Sequence, residues 1–332
     1  MPREFTNIPT NMVMGFLGAG KTTAILNLLQ QKPFGEKWAV LVNEFGQVGI
    51  DGAIFAASGA IVKEVAGGCL CCAVGLPFQI AVNRLLTEVE PDRLLIEPTG
   101  LGHPKRVFDM LADGYFRTVL DMRASICLVD PRKLSDSRYT SHENFVDQIA
   151  LSDVLVANKM DLADQAAVQR LNCWAEQSHP PKIVVAQTVQ GKLDIAWLDL
   201  TRNPERRAVF PNAHQTGAIH QIPELILTHK DRPSLNEADG YRSFGAVFPE
   251  QSCFDYARTA DFLSQLKAER IKGVLLTNKG WFIFNAADGL MTIAQCKPSA
   301  NSRIEIVARQ NNWQDIPSAL NRCIINSCSD SN

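Results

Sequence analysis

Through the first two hundred residues, short continuous apolar runs alternate with stretches whose apolar residues recur at helical spacing. NMVMGF (11–16) predicts a buried strand, and KTTAILNLLQQ (21–31) behind it predicts a helix. WAVLVNEF (38–45) and AIVKEV (60–65) read as the next strands, and LPFQIAVNRLLTEVE (76–90) as a helix with Pro77 in its first turn. RLLIE (93–97), ASICLVD (124–130), VLVANK (154–159) and KIVVAQT (182–188) continue the strand series. Helices are expected around 104–116, near 141–152 and up to about His179. Val/Ile/Leu runs without alternation have apolar side chains on both faces. Separated by helices, they predict a mostly parallel sheet covered on both sides, an α/β domain.

The pattern changes near residue 200. LTRNPERRAVFPNAHQTGAIHQIP is rich in turn formers and keeps no period, so residues 201–236 read as a linker between a first domain (1–200) and a smaller one (237–326) with a short tail (327–332). In the second region RSFGAVF (242–248), KGVLLT (272–277), GWFIFN (280–285), LMTIAQC (290–296) and RIEIVA (303–308) read as strands, with hairpin signals at TNKG and AADG. One helix (255–269) precedes the hairpins and a weaker one (313–325) follows them. Helices segregated from consecutive strands predict an α+β domain. In GWFIFN, Trp281, Phe282 and Phe284 alternate, and core packing is expected for at least half of them.

Composition narrows the function classes. The chain has 332 residues, 46% apolar and 20% charged, with a formal net charge of −2. That is a globular profile with room for two cores, and no global field attracts nucleic acid or an anionic membrane. No apolar run is long enough to span a bilayer. MPREFTNIPTNMVMGF carries an acid early and no signal-peptide core, so a cytoplasmic location is expected. Six of the nine cysteines (Cys127, Cys173, Cys253, Cys296, Cys323, Cys328) are single and read as buried apolar residues or surface thiols rather than a disulfide framework.

Three motifs carry phosphate or base chemistry. GFLGAGKTT follows a strand and opens a helix, and contains G-x-x-x-x-G-K-T. Gly15, Gly18 and Gly20 let the backbone, Ala19 included, wrap a phosphate; Lys21 adds a point charge and the Thr22 hydroxyl suits Mg2+, with Thr23 beside it. NKMD places Asn158, Lys159 and Asp161 at a strand end, where a carboxylate can accept from N1 and N2 of guanine while adenine offers no such pair. In LLIEPTG, Glu97 ends an apolar strand and can hold Mg2+ through a water, while the Gly100 amide can sense a γ-phosphate. Glu44 and Asp51, after the second strand, lie where P-loop switches contact Mg2+ and γ-phosphate. Position 101 is Leu, so no water-orienting glutamine follows Gly100, and slow intrinsic turnover is expected.

GGCLCC (67–72) crowds Cys69, Cys71 and Cys72 between strand and helix. Thiolates suit Zn2+, which takes four ligands, so three thiolates leave one place for Glu44, water, a second protomer or a client's ligand. An apolar cluster or a disulfide switch are the competing readings; adjacent Cys71 and Cys72 cannot both face one core from a strand.

GFLGAGKTT, VNEFG, GGCLCC, IEPTGLGHP and NKMD, in this order, resemble the CobW-type GTPases of the SIMIBI class. The resemblance implies a cytoplasmic GTPase that binds a transition metal, often zinc (Co2+ or Ni2+ in some relatives), and passes it to a client protein or cofactor pathway under nucleotide control. It implies nucleotide binding by Gly15–Thr23 and by Asn158, Lys159 and Asp161, metal binding by Cys69, Cys71 and Cys72, and Glu44 as a switch residue or extra ligand. A homodimer formed on nucleotide or metal binding is a further candidate state. The chain lacks the His-rich tract of many relatives; His214, His220 and His229 are widely spaced and read as ordinary linker residues, and His103 in GLGHP reads as polar surface at a helix start, with orienting a water or metal as the alternative. A regulatory GTP switch with structural or redox-active cysteines, and a small-molecule kinase, are the alternatives.

Overall fold

The computed structural model describes residues 6–43, 61–65, 76–112, 114–211, 234–238, 241–287, 290–296, 298–299, 301–309, 313 and 315–325. Glu44, Asp51, Cys69, Cys71, Cys72 and the three histidines from 214 to 229 lie outside the described residues. The chain divides into two compact units.

In the first unit the elements run β1 (Ile8–Gly15), α1 (Lys21–Gln30), β2 (Trp38–Asn43), β3 (Ile61–Val65), α2 (Leu76–Val89), β4 (Arg93–Glu97), α3 (Pro104–Leu111), α4 (Gly114–Val119), β5 (Leu120–Met122), β6 (Ile126–Val129), α5 (Ser137–Thr140), α6 (Glu143–Leu151), β7 (Val154–Ala157), α7 (Gln165–Glu176) and β8 (Val184–Gln187). The strands form one parallel sheet in the order β3-β2-β4-β1-β6-β7-β8, with β5 beside the start of β1. β4, β6 and β7 are buried at every position and β1 at all but one, which is why MVM, LLI, ICLV and VLVA run apolar without alternation. β8 alternates half-buried and exposed positions, as an edge strand does.

The helix expected over 104–116 is two helices. Ala112 ends the first, and Gly114, at φ 53°, takes the left-handed conformation that starts a new direction. The region from residue 201 is held down at its start. Arg206 is buried, its Nε 2.7 Å from Asp153 Oδ1 and its guanidinium also donating to the Pro180 and Pro181 carbonyls at 2.9 and 2.8 Å. One guanidinium among three in a polar stretch gives no periodic signal of such docking.

The second unit comprises β9 (Ser234–Ala238), β10 (Tyr241–Val247), β11 (Cys253–Phe254), α8 (Tyr256–Gln265), β12 (Arg270–Thr277), β13 (Gly280–Ala287), β14 (Leu290–Gln295), β15 (Arg303–Ala308), α9 (Asp315–Cys323) and β16 (Ile324–Ile325). Its main path is antiparallel, β14-β13-β12-β15-β10-β9, with β11 parallel to β12 and antiparallel to β16. Its core joins sheet residues Phe244, Ile271, Phe284 and Ile306 to Leu263 of α8 and Leu320 of α9. Phe282 packs against this core, whereas Trp281 lies with Val274 in a separate apolar cluster, as strand alternation requires. Cys127, Cys173, Cys296 and Cys323 carry free thiols; Cys253 is disulfide-bonded, which the reading of single unpaired cysteines did not anticipate.

Candidate functional site

The C-terminal ends of β1, β4, β6 and β7 lie side by side, and every described motif residue follows one of them. In open parallel sheets this is the edge where ligands bind. The loop after β1 must be glycine where it is glycine. Gly15 has φ 150°, and a Cβ there would lie 2.6 Å from the Leu128 carbonyl; Gly18 and Gly20 have φ 71° and 99°. α1 starts at Gly20 without a side-chain cap and without an acid in its first turn, so its N-terminal end remains positive and suited to an anion. Lys21 is buried, with Nζ lying across the loop 3.4 Å from the Phe16 carbonyl. Phe16 is fixed by edge-on contacts with Tyr139, His142 and Phe145. Ala19 is buried and Thr23 exposed.

Thr22 Oγ1 donates to Glu97 Oε1 at 3.0 Å, and Glu97 is 3% exposed. A hydroxyl and a buried carboxylate meeting at the phosphate loop are the hard oxygen donors that Mg2+ takes, so these residues fit that ion. Gly100 packs against the same loop: a Cβ would lie 2.7 Å from Leu17 N and 2.9 Å from Phe16 C. The next two carbonyls are held by α6. Gln148 Nε2 donates to the Gly100 carbonyl at 2.9 Å and Asn144 Nδ2 to that of Leu101 at 2.7 Å.

Asn158 lies against the phosphate loop, its Nδ2 donating to the Ala19 carbonyl at 2.9 Å and its Oδ1 accepting from Gly191 N at 2.9 Å. This buried amide straps two loops together. Lys159 has φ 61° and its Nζ is 3.5 Å from Asp130 Oδ2. Asp130 also accepts from Arg132 Nε and Nη2 at 2.9 and 2.6 Å. Burial alone would raise its carboxyl; the Arg132 hydrogen bonds and the Lys159 charge prevail and hold it below the ordinary value. Asp161 is exposed on the single turn Met160–Leu162.

The glycine loop, the helix behind it and the strand ends beside it have the P-loop arrangement, and residues 9–186 match the family model described as CobW/HypB/UreG, nucleotide-binding domain. The chain belongs to the CobW/HypB/UreG family. Its relatives include the zinc chaperone YeiR of Escherichia coli, 43% identical over 317 residues that cover 94% of this chain and 96% of the relative. The zinc chaperone CobW of Pseudomonas aeruginosa is 29% identical over 282 residues, 74% of each chain. The Zn(II)-bound YjiA GTPase of E. coli superposes over 96% of this chain and 99% of its own at a TM-score of 0.44 and 19% identity.

Two parts of this CobW-family edge were not read from the sequence. One is the turn Thr188–Lys192, where Gly191 (φ 65°) sits with its would-be Cβ 2.9 Å from the backbone of Ala24. A polar Gly turn after the last parallel strand was its only signal. The other is His103, expected on the surface and in fact 2% exposed, 3.0 Å from Asp147 Oδ2. Position at a helix start says nothing of a partner forty-four residues away. Among the described residues no group of three or more His, Cys, Asp or Glu side chains is placed to hold a metal ion, and no helix is long and apolar enough to cross a membrane.

Proposed function

We propose that the chain binds GTP with Mg2+ at this edge, hydrolyses it slowly, and uses the cycle to control zinc carried by Cys69, Cys71 and Cys72 for delivery to a client protein. The observation that carries the reading is the convergence of Thr22, Glu97, Gly100 and Asn158 on one phosphate loop in a chain 43% identical along nearly its whole length to a zinc chaperone. Phosphates lie along Gly15–Thr23, with Lys21 as point charge. Thr22 and Glu97 hold Mg2+, directly or through water, and the ion neutralises the β- and γ-phosphate charge. Gly100, pressed against Leu17, senses the γ-phosphate through its amide. Asp161 accepts from guanine N1 and N2, and Asp130 steadies Lys159 beside the base. Leu101 orients no water, which keeps turnover slow without an activator.

Zinc is the cargo. Three thiolates leave one ligand position of four, and an open position permits transfer by ligand exchange. Glu44 and Asp51, between β2 and β3 in the sequence, are the candidate links from nucleotide to cargo. Competitive binding of GDP and ADP tests the nucleotide half. A site built around the Asp161 carboxylate discriminates on the order of 10⁴-fold, and Asp161→Asn should erase most of that preference while improving binding of the xanthine nucleotide, whose base accepts where guanine donates. ADP binding as tight as GDP would favour the small-molecule kinase alternative.

A further inference from the structure

One face of α6 carries three fully buried polar side chains, Asn144, Asp147 and Gln148, spaced three and four residues apart. Asn144 and Gln148 hold the carbonyls of Leu101 and Gly100. Asp147, between them, holds a different stretch of chain. Its Oδ1 accepts from the backbone amides of Val209 at 2.6 Å and Phe210 at 3.1 Å. Its Oδ2 stands 3.0 Å from His103 Nε2 without the alignment of a hydrogen bond, and the same nitrogen lies 3.1 Å from the Phe210 carbonyl. Both neighbours of Nε2 are acceptors, so that nitrogen carries the proton and donates to Phe210. A buried carboxylate persists only where such donors compensate it.

The path from Gly100 to His103 is short and stiff. Gly102 N closes a turn on the Thr99 carbonyl at 3.0 Å, Leu101 is fully buried, and Pro104 fixes the start of α3. Gly100 lies against the phosphate loop, where an added Cβ would be 2.7 Å from Leu17 N. Only this short run separates its amide from His103.

We propose that His103 and Asp147 are positioning residues that tie the Gly100 switch to residues 209–210, so that the bound nucleotide sets how firmly this stretch is held. The proposal rests on the reading of Gly100 as γ-phosphate sensor. It gives the nucleotide state a physical output in the segment that continues toward the second unit.

Amide exchange of the full-length protein, with GDP·Mg2+ and with a non-hydrolysable GTP analogue·Mg2+, tests it. Protection of Val209 and Phe210 should differ between the two nucleotides by roughly 5–150-fold, the usual range of coupling between sites. His103→Gln, whose amide N–H can reach the Phe210 carbonyl, should keep the difference; His103→Ala should lose it while Gly15–Thr23 still responds to nucleotide. Equal exchange at 209–210 in both states of the wild type, with the phosphate loop responding, would overturn the proposal. So would an undiminished difference in His103→Ala. Absence of protection at Gly15–Thr23 with either nucleotide would overturn the nucleotide reading, and this proposal with it.

Discussion

Gly100 and Asn158 each perform a task set by the backbone around them. A methyl group at Gly100 would press into the backbone at Phe16–Leu17, which has no flexible side chain to give way. Gly100→Ala should therefore destabilise the first unit by about 1–3 kcal/mol, the usual cost of overpacking, and should blunt any distinction between di- and triphosphate. Thermal unfolding with each nucleotide checks both. An unchanged Tm together with an intact preference would mean that the contact is slack. Asn158 was read as a member of a guanine motif because N-K-x-D has fixed spacing. Its role as a strap between Ala19 and Gly191 was not, because the partners are distant in sequence. His103 failed for the same reason: local rules see a residue before Pro104, and only the fold brings Asp147 and Phe210 to it.

At the scale of elements, α6 organises the first unit at both ends. Its polar face holds the Gly100 segment. Its last turn has no basic residue of its own, and Lys182, at the start of the β8 run, caps it: Nζ donates to the Ile149 carbonyl and, at 2.8 Å, to that of Ser152. Burial, reinforced by the Arg206 charge, pushes this ammonium down to about 7. Between that value and the ordinary 10.5 the unfolded chain binds the extra proton, so stability rises with pH from about 7 upward, with a slope of at most about 1.4 kcal/mol per pH unit. Above about 9 Cys127 opposes it, because burial pushes its thiol up to about 12 and the unfolded thiol ionises first. Urea unfolding at pH 7, 8 and 9 should show the rise in wild type and a flatter profile in Lys182→Met. Equal slopes would remove Lys182 as the cause. The strands at 93–97 and 303–308 were legible to the residue, since each carries a short run of Leu, Ile or Val bounded by turn formers. β5 was not, being three residues long, and neither was the break at Gly114, which depends on one backbone angle.

For the molecule as a whole, an α/β nucleotide unit and an antiparallel α+β unit were both readable from hydrophobic period. The family was readable from five motifs in order, and the match over residues 9–186 establishes it. How the proposed cargo motif would meet the nucleotide was not readable, because coupling depends on which loops share space rather than on what each contains. The central claim is that nucleotide state governs zinc held by Cys69, Cys71 and Cys72. The direct test is a Zn2+ titration of the reduced protein against a competing chelator, with GDP·Mg2+ and with a GTP analogue·Mg2+, on wild type and the Cys69/Cys71/Cys72→Ser variant. The account predicts one tight site, absent in the variant, whose affinity differs roughly 5–150-fold between nucleotides. Tight binding that ignores the nucleotide, or that survives loss of the three thiols, would contradict it.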